Sequence, residues 1–164
     1  MIGGEEVEAS VAAQEGALVI TAGDVAMKLR LVDANGQLVG LDENGNLRLL
    51  GGLQLEVALS GLSAGTIVNV HVFSEPVLLG TVTVGSGESS TGTFTVPEGL
   101  ESGNHRIVAN GVTATGEPVT LVAGVKAGED TGSSPIRIVI FVVLGLAVLA
   151  AVAVPARRRS ARAN

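Results

Sequence analysis

One apolar run near the C-terminus constrains this chain more than any other feature. Ile138, Val139, Ile140, Phe141, Val142, Val143, Leu144, Gly145, Leu146, Ala147, Val148, Leu149, Ala150, Ala151, Val152, Ala153 and Val154 follow one another without a charged or strongly polar side chain. A helix that is apolar on every face must be buried, either in a large core or in lipid. At about 1.5 Å per residue the run reaches roughly 25 Å, slightly less than the ~30 Å hydrocarbon core of a bilayer. Ile136 and the flanking Arg137 and Arg157 extend that reach, because arginine stems lie along apolar surface while their heads reach the headgroups. The competing reading is a buried helix of a soluble core. It fits poorly with an end at Pro155 followed by Arg157, Arg158, Arg159 and Arg162. The sequence therefore predicts a transmembrane helix over residues 136–154 and a basic tail over 155–164.

Charge sets the expected orientation. Residues 136–164 carry five arginines and no acid, whereas all 16 acidic residues lie between Glu5 and Asp130. Against those acids stand only Lys28, Arg30, Arg48, Arg106 and Lys126. Basic residues beside a span stay cytoplasmic, so the tail is expected inside and residues 1–135 outside. A basic tail also suits an anionic membrane face. The acidic part would repel nucleic acid, whose binding rests on neutralising phosphates. The bilayer is thus the expected partner and nucleic acid is not. Met1 to Glu6 contain no basic residue followed by an apolar run, so this stretch does not read as a signal peptide. The exported topology then expects either a signal upstream of Met1 or another export route. A tail-anchored protein with a cytosolic domain is the alternative, but it puts the arginine cluster on the wrong side.

The body alternates. LQLEVALS (53–60) sets Leu53, Leu55, Val57 and Leu59 against Gln54, Glu56, Ala58 and Ser60, and TIVNVHVF (66–73) sets Val68, Val70 and Val72 against Ile67, Asn69, His71 and Phe73. A period of two places one row on a core and the other in solvent. Similar runs occupy 77–84, 91–96, 104–110 and 118–125, separated by stretches rich in Gly, Pro and Ser. Short strands at such intervals predict a β-sandwich over residues 51–126. A chain with 23 glycines, three phenylalanines and no Trp or Tyr needs a core of Val, Leu and Ile. Residues 127–135 (AGEDTGSSP) read as a linker.

Residues 1–50 are also β-like, with candidate strands at 6–13, 17–23, 25–32, 37–41 and 46–50. Asn35-Gly36 and Asn44-Gly45 predict type I′ hairpins, whose two central residues need positive φ. The segments VDANGQLV and LDENGNLR repeat one pattern, which points to a β-meander, either separate or forming the first strands of the sandwich. Asp42, Asn44 and Asn46 resemble the opening of a calcium loop. Glycine stands at the fourth position instead of the sixth, and the twelfth is Leu53, so the turn reading is preferred.

Catalytic groups are sparse. With no cysteine, thiolate zinc sites, disulfides and cysteine nucleophiles are excluded. His71 and His105 are the only histidines, and neither sits in a nucleophile or metal-binding motif. They are expected to be surface or structural residues. No enzyme activity, cofactor or metal is expected. The scarcity of aromatic residues argues against sugar stacking.

Between Gly45 and Lys126 five motifs stand in order: GNLRL (45–49), SGLSAGT (60–66), VFSEPVLLG (72–80), GTFTVPEGL (92–100) and GNHRIVANG (103–111). In this series the chain resembles modules of actinobacterial cell-surface proteins. The resemblance implies an immunoglobulin-like sandwich used as an extracellular module. The tail is similar to a sortase sorting signal, in which a short motif, an apolar span and arginines follow one another. That similarity implies cleavage between Thr131 and Gly132. However, Gly128 to Gly132 lack the usual Leu-Pro, so retention in the membrane is the expected outcome. The sequence thus predicts a membrane-anchored structural, spacer or adhesion module. The alternative is a module that binds cell-wall polymer or a surface protein.

Overall fold

A computed structural model of the chain describes residues 7–87 and 89–128. The predicted span, its arginines and the Thr131–Gly132 bond lie outside the described residues. Within them the protein is all-β, in two sheets. The strands are β1 (Ala9–Gln14), β2 (Ala17–Ala22), β3 (Val25–Val32), β4 (Leu38–Val39), β5 (Arg48–Leu49), β6 (Gln54–Ser60), β7 (Ile67–Phe73), β8 (Val77–Thr83), β9 (Ser89–Thr95), β10 (Gly103–Val112) and β11 (Pro118–Ala127). The first sheet runs β1-β2-β3-β6-β9, with β4 also on β3, and the second runs β5-β11-β10-β7-β8. Every candidate run read from the sequence carries one of these strands.

The alternation becomes burial. In β6, Leu55, Val57 and Leu59 are buried, and in β7 so are Val68, Val70 and Val72. They meet in one apolar cluster that draws on both sheets and includes Leu18, Ile20, Met27 and Leu29 from β2 and β3. At about 25 cal/mol per Å² of apolar area, such a cluster is the main stabilising term. Strands β2 and β3 are therefore part of this core, with Ala9 and Val11 of β1 packed against it. β3 pairs with β6 over seven residues, from Ala26↔Ser60 to Val32↔Gln54. β11 also packs over β2, and β8 packs against β9.

The turns depart from expectation at both Asn-Gly sites. Gly36 and Gly45 have φ of 76° and 77°, but neither Asn35 nor Asn44 has positive φ, so these are not type I′ turns. Each is organised by the preceding aspartate. The Asp33 carboxylate accepts the Asn35 and Gln37 amides at 2.8 Å, while Gly36 N–H bonds the Asp33 carbonyl at 3.0 Å. Asp42 repeats this arrangement with Asn44, Asn46 and Gly45. An Asx contact of this kind supports a type I turn closed by a left-handed glycine. The two-residue turn with two positive φ values lies instead at Glu15-Gly16, at 50° and 73°.

The expected meander of two hairpins is also revised. The Asp33 loop does return β4 to β3. After the Asp42 loop, however, β5 leaves the first sheet and pairs in parallel with β11. The second repeat thus passes the chain from one sheet to the other. β11 itself extends through Ala127, so the first residue assigned to the linker belongs to a strand.

Candidate functional site

The end of the fold from which the chain leaves β11 concentrates its polar contacts. Asp42 Oδ1 accepts hydrogen bonds from the Asn46 amide at 2.8 Å and from the Asn44 amide and Asn46 Nδ2 at 3.0 Å. Asp42 Oδ2 accepts Asn46 Nδ2 and Arg48 Nη2, both at 3.0 Å. Burial pushes the Asp42 carboxyl up, but the donors from Asn46, Asn44 and Arg48 outweigh it and hold the group below its ordinary value. Both oxygens are occupied by N–H groups, which is the arrangement of a turn cap and not of a cation loop. Arg48 then reaches the end of β11, where its Nη1 donates to the Gly128 carbonyl at 3.1 Å.

This links Asp42 to the last described residue through one guanidinium. Backbone bonds run beside it. Lys126 N–H donates to Leu47 O at 3.0 Å, and Gly128 N–H to Leu49 O at 3.1 Å. β11 is held on its other side by β10 through ten residue pairs, Gly103↔Ala127 to Val112↔Pro118. The strand leading to residue 129 is therefore held by β10 along one edge and, over Lys126 to Gly128, by the β5 segment on the other. Chemically this end can hold a strand against withdrawal.

The residues of the sequence motifs are the ties between elements. His105 is buried. Its Nε2 donates to the Glu101 carbonyl at 2.7 Å, leaving Nδ1 to accept from Ser74 Oγ at 3.4 Å. The Phe-Ser-x-Pro turn after β7 is thus pinned to the start of β10. Ser63, in the turn after β6, hydrogen-bonds the Thr113 carbonyl, and Leu62 forms a bridge with Thr113. That turn ties the first sheet to the β10–β11 turn. At the flank formed by β8 and β9, the Phe94 ring occupies space left by two glycines. A Cβ on Gly80 would stand 2.5 Å from Phe94 Cε1, and one on Gly92 would stand 2.8 Å from Phe94 Cζ and 2.6 Å from Val82 Cγ2. All three distances are shorter than side chains tolerate, so the ring's position requires glycine at both sites.

In the Ser74–His105 contact the hydroxyl is exposed and the imidazole buried; the second ring nitrogen bonds a main-chain carbonyl and no carboxylate, so the contact lacks the third side chain of a triad. His71 lies half-buried on the outward face of β7, its ring 5.8 Å from that of Phe73. Arg30 pairs with Glu56 on the outer face of the first sheet, and Lys28 approaches Glu15 at 3.8 Å. Among the described residues no group of three or more His, Asp or Glu is placed to hold a metal ion. Among them, too, no helix is long and apolar enough to cross a membrane; the predicted anchor, Ile138–Val154, lies outside that set.

Sequence reasoning missed the Arg48–Gly128 contact and the gripping of β11. The available signal was weak: a two-residue strand carries no periodicity. Asp42 was visible as a turn residue, but its link to Arg48 requires knowing that β5 leaves the first sheet. No protein family, curated protein or solved structure matches the chain.

Proposed function

We propose that the protein is a membrane-anchored module displayed outside the cell, serving as a structural, spacer or adhesion element. One observation carries the reading: the uncharged run Ile138–Val154, with acidic sequence before it and Arg157, Arg158, Arg159 and Arg162 after it. Lipid accepts the run, and the arginines stay on the cytoplasmic side. The fold supports this reading in a further way. A module tethered at its C-terminus receives load through β11, which β10 pairs along ten residues and β5 pairs over Lys126 and Ala127. Withdrawing it along its length requires shearing many hydrogen bonds together.

The immunoglobulin-like assignment belongs to the same proposal. Its support is the pairing pattern. β6 with β9, and β7 with β10 and β11, match strands B–E and C–F–G of that sandwich. Membership among actinobacterial surface modules rests on the motif series and on the placement of its residues at the ties between elements. Sortase processing at Thr131–Gly132 is the lesser reading of the tail.

The test is fractionation of expressing cells followed by protease shaving. The full chain is expected in the membrane fraction, with residues 7–128 degraded or released from intact cells. Their protection in intact cells and digestion only after lysis would overturn the external placement in favour of the tail-anchored alternative. Recovery in the soluble fraction would overturn the anchor.

A further inference from the structure

The two Asn-Gly loops place the same reactive pair in two different settings. Their backbones match bond for bond. Asp33 N–H donates to Gln37 O at 2.9 Å, and Asp42 N–H to Asn46 O at 2.9 Å. Gly36 N–H donates to Asp33 O at 3.0 Å, and Gly45 N–H to Asp42 O at 2.8 Å. In each loop the aspartate Oδ1 accepts the amides two and four residues on. Asn35 and Asn44 are both exposed. Open space lies beside both glycines, where an added Cβ would meet nothing within 4 Å.

The side chains differ. Gln37 is exposed, whereas its counterpart Asn46 is buried. Asn46 Nδ2 donates to both Asp42 oxygens at 3.0 Å, and Arg48 Nη2 adds a bond to Oδ2 at 3.0 Å. In the first loop the corresponding contact is an exposed one, Asn35 Nδ2 to Asp33 Oδ2 at 3.4 Å. The strand that follows it, β4, is held to β3 by two residue pairs.

An Asn-Gly pair carries its own electrophile and nucleophile. The glycine nitrogen, on losing its proton to base, attacks the asparagine Cγ. The bond from Cγ to the side-chain nitrogen breaks, and that nitrogen takes up a proton and leaves as ammonia. Water then opens the cyclic imide at either carbonyl, leaving aspartate or isoaspartate. Glycine permits the approach because it has no Cβ. In both loops the glycine N–H must first leave its aspartate carbonyl, so the reaction runs through local opening.

We propose that Asn35 is a site of spontaneous deamidation, and that the Asn46 and Arg48 bonds to Asp42 protect Asn44 from the same reaction. Opening the first loop releases exposed bonds that water replaces. Opening the second also breaks part-buried bonds to a carboxylate, which are stronger than neutral ones. At Asn35 the product adds a negative charge, and isoaspartate adds a backbone carbon, at a turn that carries only β4. At Asn44 the same change would fall on the loop that leads into the β5–β11 pairing. The inference stands on the described residues and does not depend on the anchor.

The test ages the full-length chain in detergent at mildly alkaline pH, with and without urea, and follows both sites by mass-spectrometric peptide mapping. In the folded chain, conversion at Asn35 is expected to outpace conversion at Asn44 by about tenfold or more, the effect of one charge-assisted hydrogen bond. In urea the two rates are expected to converge. Asn46→Gln gives the second loop the residue of the first. It is expected to speed conversion at Asn44 by about tenfold and to leave Asn35 unchanged, with circular dichroism reporting that the fold persists. Should that variant fail to fold, the urea comparison on the wild-type chain decides. Absence of conversion at Asn35, equal rates at the two sites in the folded chain, a ratio that persists in urea, or an unchanged Asn44 rate in folded Asn46→Gln overturns the inference.

Discussion

Glu15 is the one non-glycine among the described residues with positive φ, at 50°. A left-handed conformation costs an L-residue with a Cβ roughly 1–2 kcal/mol, and asparagine tolerates it better. The Lys28 contact offers little compensation, since it is 3.8 Å long and the Glu15 side chain is 90% exposed. Glu15→Asn is therefore expected to stabilise the fold by about 1 kcal/mol, read as a higher urea midpoint at unchanged m-value. Asp42 is the opposite case, a residue whose side chain is used fully. Replacing it with alanine leaves the donors of Asn44, Asn46 and Arg48 without their acceptor and is expected to cost about 2–3 kcal/mol at pH 7. The carboxyl of Asp42 titrates lower in the folded chain than its ordinary value of 3.8. Its contribution is thus complete above that value and is lost as pH falls through the folded value. In unfolding titrations, the stability gap between wild type and Asp42→Ala should narrow below pH 3.8; a gap constant down to acid pH would contradict this role.

Among elements, the β8–β9 flank depends most on a single fit. Gly92→Ala drives a methyl group into Phe94 and Val82, and overpacking of this kind costs about 1–3 kcal/mol. Phe94→Ala is expected to cost about 3–5 kcal/mol. Together the two should cost less than their sum, because removing the ring relieves part of the clash; full additivity in a double-mutant cycle would contradict the packing. The elements differ in how far the sequence exposed them. Strands such as β6 were legible because Leu55, Val57 and Leu59 alternate with polar neighbours over a full turn-to-turn interval. The turn types were not, because the Asp33 and Asp42 side chains capture backbone amides that an Asn-Gly rule leaves out of account. The destination of β5 was hidden for another reason. Its two residues carry too little pattern to choose a sheet, and its partner β11 lies almost eighty residues downstream in the chain. Ser74 and His105 were visible as motif residues, but their pairing spans 31 positions and follows only from the β7–β10 register.

At the scale of the whole molecule, an all-β body precedes the apolar run Ile138–Val154. The two sheets share a single core to which the first three strands contribute, and under the proposed C-terminal anchoring, load entering at β11 passes to both. All 16 acidic residues precede the apolar run, and Arg157, Arg158, Arg159 and Arg162 follow it. The most direct test of the central claim uses cysteine accessibility in living cells. Ala34→Cys places a thiol on the exposed Asp33 loop, and Ala163→Cys places one in the basic tail. Treating intact cells with a membrane-impermeant maleimide is expected to label Ala34→Cys and to spare Ala163→Cys until the cells are lysed. Labelling of Ala163→Cys but not Ala34→Cys in intact cells would contradict the account.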